Sequence, residues 1–298
     1  MKLYKNYKNL LLLFTLASLW ALHFSLVKLV EADKNPFSIL VPLLFILSVL
    51  FLFVLILNKQ VFVFSIRKIF FFIIAGSFAY IIPLYVEFLV APKMDAGILV
   101  LIVSSVPVFT LLLVWSFRLL SVSYKLILGT ISGLIGISLI VLGNDYKTLN
   151  LWTIIALIVP LSYSFDAIFM EKYWPTKLNT FQVAFGECLI SFFLILIMNI
   201  FLGTKINEYS YWLTLKDFWL LTIITFLEVS LFFYILKNSG AVFINLGSYL
   251  VIPAGFLWGY IIFQETFTVL KFVCTLLIMA SILLIGQQDY KIKNTPIE

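Results

Sequence analysis

The sequence predicts an all-α integral membrane protein of ten transmembrane helices, arranged as two inverted five-helix repeats. Three observations predict it. The chain holds ten apolar stretches of spanning length, its 63% hydrophobic residues leave only 11% charged, and its second half repeats landmarks of the first in the same order. A membrane span needs about 20 mainly apolar residues at about 1.5 Å rise each. A mean hydropathy of +1.14 lies far above that of a soluble domain, so a single water-soluble core is excluded.

The first span, Asn9–Val30, follows Lys2, Lys5 and Lys8 and begins like a secretory signal. Its apolar run is too long for a signal h-region and no small-x-small cleavage site follows, so it reads as a retained helix. Phe37–Leu57 opens after Asn35-Pro36, and Ile69–Val90 after Arg67-Lys68. Ala96–Phe117 opens after Asp95 and carries Pro107, and Leu126–Gly143 carries a small-residue face, Gly129-x-x-x-Gly133 with Gly136. That face suits close packing within the chain, and a homodimer contact is its second use. The second half supplies Leu151–Met170, Phe181–Leu202, Phe218–Leu236, Ala241–Phe263 and Thr266–Gly286. Short polar joints connect them.

Sliding the second half over the first by about 145 residues brings Lys28 onto Lys172 and Asn35-Pro36-Phe37 onto Asn179-Thr180-Phe181. It brings Pro107 onto Pro253, Lys125 onto Lys271, and Leu142-Gly143 onto Ile285-Gly286. The repeats divide at 1–144 and 145–298. Five spans is an odd number, so the second repeat enters the membrane from the opposite side, a transporter architecture with its binding site at the repeat interface.

With the N-terminus in the cytoplasm, 13 of the 20 Lys and Arg fall on the inner side, among them Arg67, Lys68, Lys172 and Lys177. The opposite orientation reverses the ratio. Basic residues concentrate in cytoplasmic loops, so both termini are expected inside, in a multi-pass protein of the plasma (inner) membrane. The net charge of +6 is thereby read as topology and not as nucleic-acid binding.

Several motifs in this order resemble the EamA-type transporters of the drug/metabolite transporter superfamily, ten-helix carriers built from two such repeats. They are Trp20-Ala21-Leu22-His23-Phe24-Ser25-Leu26-Val27-Lys28, Asp95-Ala96-Gly97 leading through Pro107, and Gly240-Ala241 through Pro253 to Phe263-Gln264-Glu265-Thr266. The resemblance covers nearly the whole chain and implies a carrier of small organic metabolites. One departure stands out. The family usually has an acidic residue after the fourth helix as well as the ninth, and here the counterpart of Glu265 is Leu119, beside Arg118.

Ionisable side chains within spans are costly, by about 2.5–3.5 kcal/mol on insertion scales, and mark pathways. The candidates are His23, Glu87, Asp166, Glu187 and Glu228. His23 and Glu228 lie nearest the midplane. Glu228 is readable as a protonated, hydrogen-bonded structural carboxyl or, since no Lys or Arg reaches that depth and a proton or the substrate would serve as its cation, as the candidate proton-coupling residue. His23 is also readable as a packing histidine, Glu87 as a partner of Lys93, and Asp166 and Glu187 as inner-interface groups paired with Lys172 or Lys177. Trp20 shares a helical face with His23, Tyr80 with Glu87, and Tyr163 with Asp166. Trp20, His23, Tyr80, Glu87 and Tyr163 are therefore the candidate substrate-binding residues, and Pro107 and Pro253 the candidate hinges.

The single His weakens any metal site, Cys188 and Cys274 lack CxxC spacing, and neither a phosphate-gripping glycine loop nor a nucleophile elbow occurs. No cofactor is expected. The reading is a secondary exporter or exchanger of amino-acid-like, cationic or zwitterionic solutes, with protons as the candidate coupling ion and the lipid bilayer as its solvent. The alternative is a polytopic membrane enzyme acting on lipid, with Glu228 or His23 as acid–base residues.

The orientation is testable on intact cells. Glu208→Cys, between the seventh and eighth spans, is expected to react with an impermeant thiol reagent, and Arg67→Cys to remain unlabelled until the cells are opened.

Overall fold

The computed structural model describes residues 2–30, 35–62, 65–116, 124–142, 151–175, 177–239 and 247–286. Arg118, Leu119, Gly143 and Gly240-Ala241 lie outside them. Among the described residues the chain is helical throughout, without strands. The helices are α1 (Lys2–Leu29), α2 (Pro36–Leu57), α3 (Ile66–Gly76), α4 (Ile82–Val90), α5 (Ala96–Val103), α6 (Val106–Ser116) and α7 (Tyr124–Leu142). After them come α8 (Leu151–Ala156), α9 (Ile158–Tyr173), α10 (Thr180–Phe201), α11 (Ile206–Thr214), α12 (Lys216–Ser239), α13 (Gly247–Phe263) and α14 (Val269–Gly286).

Seven stretches are long and apolar enough to cross a membrane: Leu11–Leu29, Pro36–Leu57, Ile66–Lys93, Ala96–Ser116, Leu151–Tyr173, Thr180–Phe201 and Lys216–Ile235. Three shorter apolar helical stretches, Ile127–Ile140, Leu250–Phe263 and Val269–Leu284, fall where the sequence predicts the remaining spans. Large apolar side chains such as Phe14, Phe53, Phe193, Phe201 and Leu257 point outward. In water such a surface would aggregate, whereas hydrocarbon solvates it.

Three spans are broken, each near a proline. Pro83 has no N–H to donate and its ring crowds the carbonyl one turn earlier, and a π-helical segment, Ser77–Ile81, precedes it. Pro107 follows the Ser104-Ser105 break between α5 and α6, where the serine hydroxyls donate back to Val100 O (2.8 Å) and Ile102 O (2.5 Å). Pro160 follows the Leu157 break between α8 and α9, and the Ser164 hydroxyl lies 2.6 Å from Pro160 O and 2.9 Å from Val106 O. The serine hydroxyls at these breaks are thus satisfied on backbone carbonyls, as an apolar solvent requires. The candidate hinges differ: Pro107 sits at a break, and Pro253 lies inside the continuous α13.

Two helix starts are set by asparagine. Asn35 caps α2 by accepting from Phe37 N at 3.1 Å, and Asn179 caps α10 in a reciprocal box with Gln182. In the bundle, α1 packs on α12 and α13, α9 on α4 and α6, α2 on α10, α5 on α13, and α7 on α14. The joint between α10 and α12 is itself helical: α11 buries Trp212, whose indole N–H donates to Ser38 Oγ of α2 at 2.9 Å.

The glycine face of α7 is occupied within the chain. A Cβ at Gly133 would fall 2.5 Å from Val108 Cγ2 and 2.7 Å from Ser281 Oγ, and one at Gly136 would fall 3.0 Å from Ile278 Cγ1. Gly133→Leu would add about 1 kcal/mol of helix propensity but must push α14 away, at a cost of about 1–3 kcal/mol or more. Its thermal midpoint in detergent is expected to fall, while Leu134→Ala on the exposed side of the same helix leaves it nearly unchanged.

Candidate functional site

The centre of the bundle gathers polar residues from four helices. His23 of α1 has both ring nitrogens on carboxylates: Nδ1 lies 3.0 Å from Glu228 Oε1 of α12, and Nε2 lies 3.3 Å from Glu87 Oε2 of α4. Thr225, one turn before Glu228, donates its hydroxyl to Leu221 O at 2.9 Å and so offers a lone pair to His23 Nδ1 at 3.2 Å. Tyr163 of α9 donates to the other oxygen of Glu87 at 2.9 Å. Glu87 is fully buried, and His23 and Glu228 nearly so. Glu228 Oε2 is buried with no hydrogen-bond partner.

The valence of these groups sets what the cluster can hold. Without added protons the two carboxylates carry a double negative charge. One proton on the imidazole lets it donate to both sides and leaves a single negative charge. Neutrality, which an apolar interior favours strongly, takes either a second proton or one external monovalent cation. The unpartnered Glu228 oxygen is the place for it.

The sequence-predicted residues divide in space. His23, Glu87, Tyr163 and Glu228 come together. Glu87 turns to His23 and Tyr163, not to Lys93, because α4 presents it on the face that meets α1 and α9. Trp20, one turn from His23, packs on Phe232 with ring centroids 6.0 Å apart. Tyr80, in the π-helical segment, goes to a second group with Asp166, Glu187 and Cys188. Asp166 Oδ1 and Glu187 Oε1 are buried without partners, and among the described residues no ion pair joins either acid to Lys172 or Lys177. Lys172 instead lies over the Tyr173 ring, 5.1 Å from its centroid. The pairing expected from sequence proximity fails because α9 turns Asp166 inward. Among the described residues no group of three or more His, Cys, Asp or Glu could hold a metal ion.

Thr225 was not among the residues the sequence suggested. The signal was present, since it lies one turn from Glu228 on the same face.

A third polar group closes one end of the bundle. Glu265, just after α13, pairs with Lys28 of α1 at 2.7 Å and accepts from Ala96 N (2.7 Å) and Gly97 N (3.2 Å), the free donors at the start of α5. Lys271 of α14 donates to Asp95 at 2.5 Å and to Thr266 O at 2.6 Å. Gly259 and Gly97 make the approach possible. A Cβ on Gly259 would meet Glu265 Oε2 at 2.6 Å, and one on Gly97 would meet the Phe256 ring at 2.5 Å.

Residues 150–287 match the family model described as the EamA-like transporter family. The resemblance read from the sequence is borne out over these residues, and the long apolar helices fit a multi-pass membrane protein. No curated protein matches the chain. A solved structure, described as a crystal structure of a protein, is similar with a TM-score of 0.62 at 16% identity, covering 93% of this chain and 97% of that one. At that identity the likeness is one of fold.

The Glu265 group carries its own prediction. Glu265→Ala leaves Lys28 without its partner as well as two helix donors without an acceptor, and is expected to cost about 1.5–3 kcal/mol. In a Lys28→Met background the same change costs less, and the difference in thermal unfolding of the four proteins measures the coupling. Equal losses in both backgrounds would show that the ion pair contributes nothing.

Proposed function

We propose that the protein is a secondary carrier of two inverted five-helix repeats, 1–144 and 145–298, which exchanges a small cationic or zwitterionic organic solute for protons at the His23–Glu87–Glu228 cluster. The observation that carries this reading is the buried, unpartnered oxygen of Glu228 beside a histidine that bridges two carboxylates.

Several features support the repeat. The contacts of α1 with α12 and α13 recur, half a chain later, as those of α9 with α4 and α6. The helices α7 and α14, corresponding in the two halves, pack on each other, and Ser132 Oγ donates to Leu277 O across the repeat offset of 145 residues. The two asparagine caps match as well. Helices lying close to a pseudo-two-fold axis touch their own counterparts, as α2 and α10 also do. Both halves then contribute to the site: His23 and Glu87 from the first, Tyr163, Thr225 and Glu228 from the second.

The charge count gives the exchange its logic. A neutral centre holds two protons, or one proton and a substrate ammonium, so substrate and proton compete for one place. Trp20 and Phe232, a turn away, offer apolar surface to the rest of the solute. An anionic substrate would meet two carboxylates and an imidazolium whose nitrogens they already engage. The plasma membrane, with both termini in the cytoplasm, is the setting that the basic residues favour. Without a nucleotide-binding motif, uphill movement draws on the proton gradient.

A counterflow screen of labelled amino acids, polyamines and nucleobases in proteoliposomes supplies the solute. With it, Glu228→Gln is expected to remain folded and inserted, to retain solute-for-solute exchange and to lose pH-driven accumulation. Wild-type accumulation with the same pH profile in Glu228→Gln would make Glu228 structural and end the coupling proposal.

A further inference from the structure

The two carboxylates of the central cluster are bonded differently. Both oxygens of Glu87 are engaged: Oε1 accepts from the Tyr163 hydroxyl at 2.9 Å, and Oε2 lies 3.3 Å from His23 Nε2. Glu228 places Oε1 3.0 Å from His23 Nδ1 and leaves Oε2 buried with no partner. Thr225, buried one turn before Glu228, donates its hydroxyl hydrogen to Leu221 O at 2.9 Å. Toward His23 Nδ1, 3.2 Å away, it can therefore only accept. That nitrogen must carry a hydrogen, because a bare one would face the lone pairs of two oxygens.

These directions decide where a further proton can sit. With the imidazole doubly protonated, a proton on Glu87 Oε1 would point at the Tyr163 hydrogen, and one on Oε2 at the Nε2 hydrogen. Either addition breaks a hydrogen bond where no water replaces it, whereas a proton or an ammonium on Glu228 Oε2 breaks none. His23 and Glu87 thus form an ion-paired unit without net charge. The other charged groups on the helices of the cluster stand along them or at their ends. Lys2, Lys5 and Lys8 precede His23 on α1 by fifteen residues or more, and Lys28 is paired with Glu265. Lys216 and Asp217 open α12, and Lys237 follows Glu228 by nine residues, about 13 Å along the helix. Lys93 follows α4, and α9 adds Asp166, Glu171 and Lys172. The packed neighbours add Arg67 and Lys68 from α3, Tyr80 from the π-helical segment, Glu187 and Cys188 from α10, and Glu208, Tyr209 and Tyr211 from α11, while α2, α5, α6, α8 and α13 bring no charged group. Among the described residues, the side-chain hydrogen bonds and ion pairs of His23, Glu87 and Glu228 run to one another, to Tyr163 and to Thr225.

We propose that Tyr163 and Thr225 are positioning residues that hold His23 and Glu87 as a fixed neutral unit, and that Glu228 Oε2 is the one oxygen where a cation comes and goes. The occupant then carries a single positive charge: a proton, or one ammonium group of a solute. As the ammonium arrives, the O–H bond of Glu228 breaks and its proton leaves to water on the open side; when the ammonium departs, a proton from water forms that bond again. No other bond changes. This step rests on the carrier reading, under which each turn exchanges one ammonium group for one proton. A solute presenting two ammonium groups to the centre would leave an excess charge in apolar surroundings. The fixed unit itself stands independently of transport.

The test is dicyclohexylcarbodiimide labelling of the purified full chain in proteoliposomes without solute, mapped by mass spectrometry over a pH series, since this reagent adds to protonated carboxyls in apolar surroundings. In the wild-type protein Glu228 is expected to be labelled, less so as pH rises, and Glu87 to stay unlabelled throughout. Tyr163→Phe frees Glu87 Oε1, and labelling of Glu87 is expected to rise from none to a level comparable with that of Glu228. Thr225→Val removes the acceptor at Nδ1 at similar volume, so the last proton can move from the imidazole to Glu228 Oε1, and Glu228 labelling is expected to persist to higher pH. Thr225→Ser keeps the hydroxyl and is expected to show the wild-type profile. Labelling of Glu87 alongside Glu228 in the wild-type protein, or no labelling of Glu228 at any pH, would overturn the proposal without any variant having to fold. An unchanged pattern in Tyr163→Phe, or an unchanged pH profile in Thr225→Val, would remove that residue's positioning role. Because the labelling uses no solute, a counterflow screen that finds nothing transported would end the carrier reading and leave the fixed unit standing.

Discussion

The bridging of Glu87 and Glu228 by His23 governs the arrangement of the interior. A carboxylate inside an apolar bundle must find a proton, a cation or donors, and here two carboxylates find one imidazole between them. That contact draws α1, α4 and α12 to a common centre, with α9 joined through Tyr163. Removing any one of the three ionisable groups leaves the others with the wrong charge. The cluster is thus tightly specified in geometry and loosely specified in protonation, a combination suited to a site that gains and loses a cation without rebuilding its surroundings.

The breaks in the helices serve the same centre. Straight helices through Pro83, Pro107 and Pro160 would each lose a backbone bond in a medium without water to replace it. The chain instead breaks its helices beside them, and the Ser104, Ser105 and Ser164 hydroxyls there are satisfied on backbone carbonyls. The π-helical turn before Pro83 changes the register of that span and directs Tyr80 toward Glu187 while Glu87, two turns on, meets His23. One local irregularity therefore separates two acidic groups on one span's path.

Much of the architecture was legible because membrane solvent imposes simple rules: apolar runs of spanning length, Asn at helix starts, small residues where helices touch. Asn35, Asn179 and Gly133 take the roles their positions suggest. The meeting of His23, Glu87 and Glu228 was legible only as a set of costly residues, since sequence gives depth along a helix but not rotation about the bundle axis. Rotation is also why Asp166 and Glu187 were readable as partners of nearby lysines, when their Oδ1 and Oε1 oxygens are buried without partners. The Glu265 contacts were the least accessible, joining residues separated by 237 positions through backbone donors that carry no sequence signature.

That last group gives the molecule a direction. Glu265 ties the end of α13 to α1 and to the start of α5, across the two halves, and Asp95 with Lys271 adds a second tie at the same end. Strict repetition would place an acidic residue at the position of Leu119 to make the matching tie at the other end, and the sequence has none there. An ionic tie holds well when desolvated and weakens as water enters, because screening rises with access. On the proposed repeat, the end held by Glu265 carries an ionic cost to opening that the sequence at Leu119 does not repeat. On the carrier reading proposed above, two halves alike in helix order would in this way differ in the energy of exposing the centre to either side, and that difference would bias which face a solute meets.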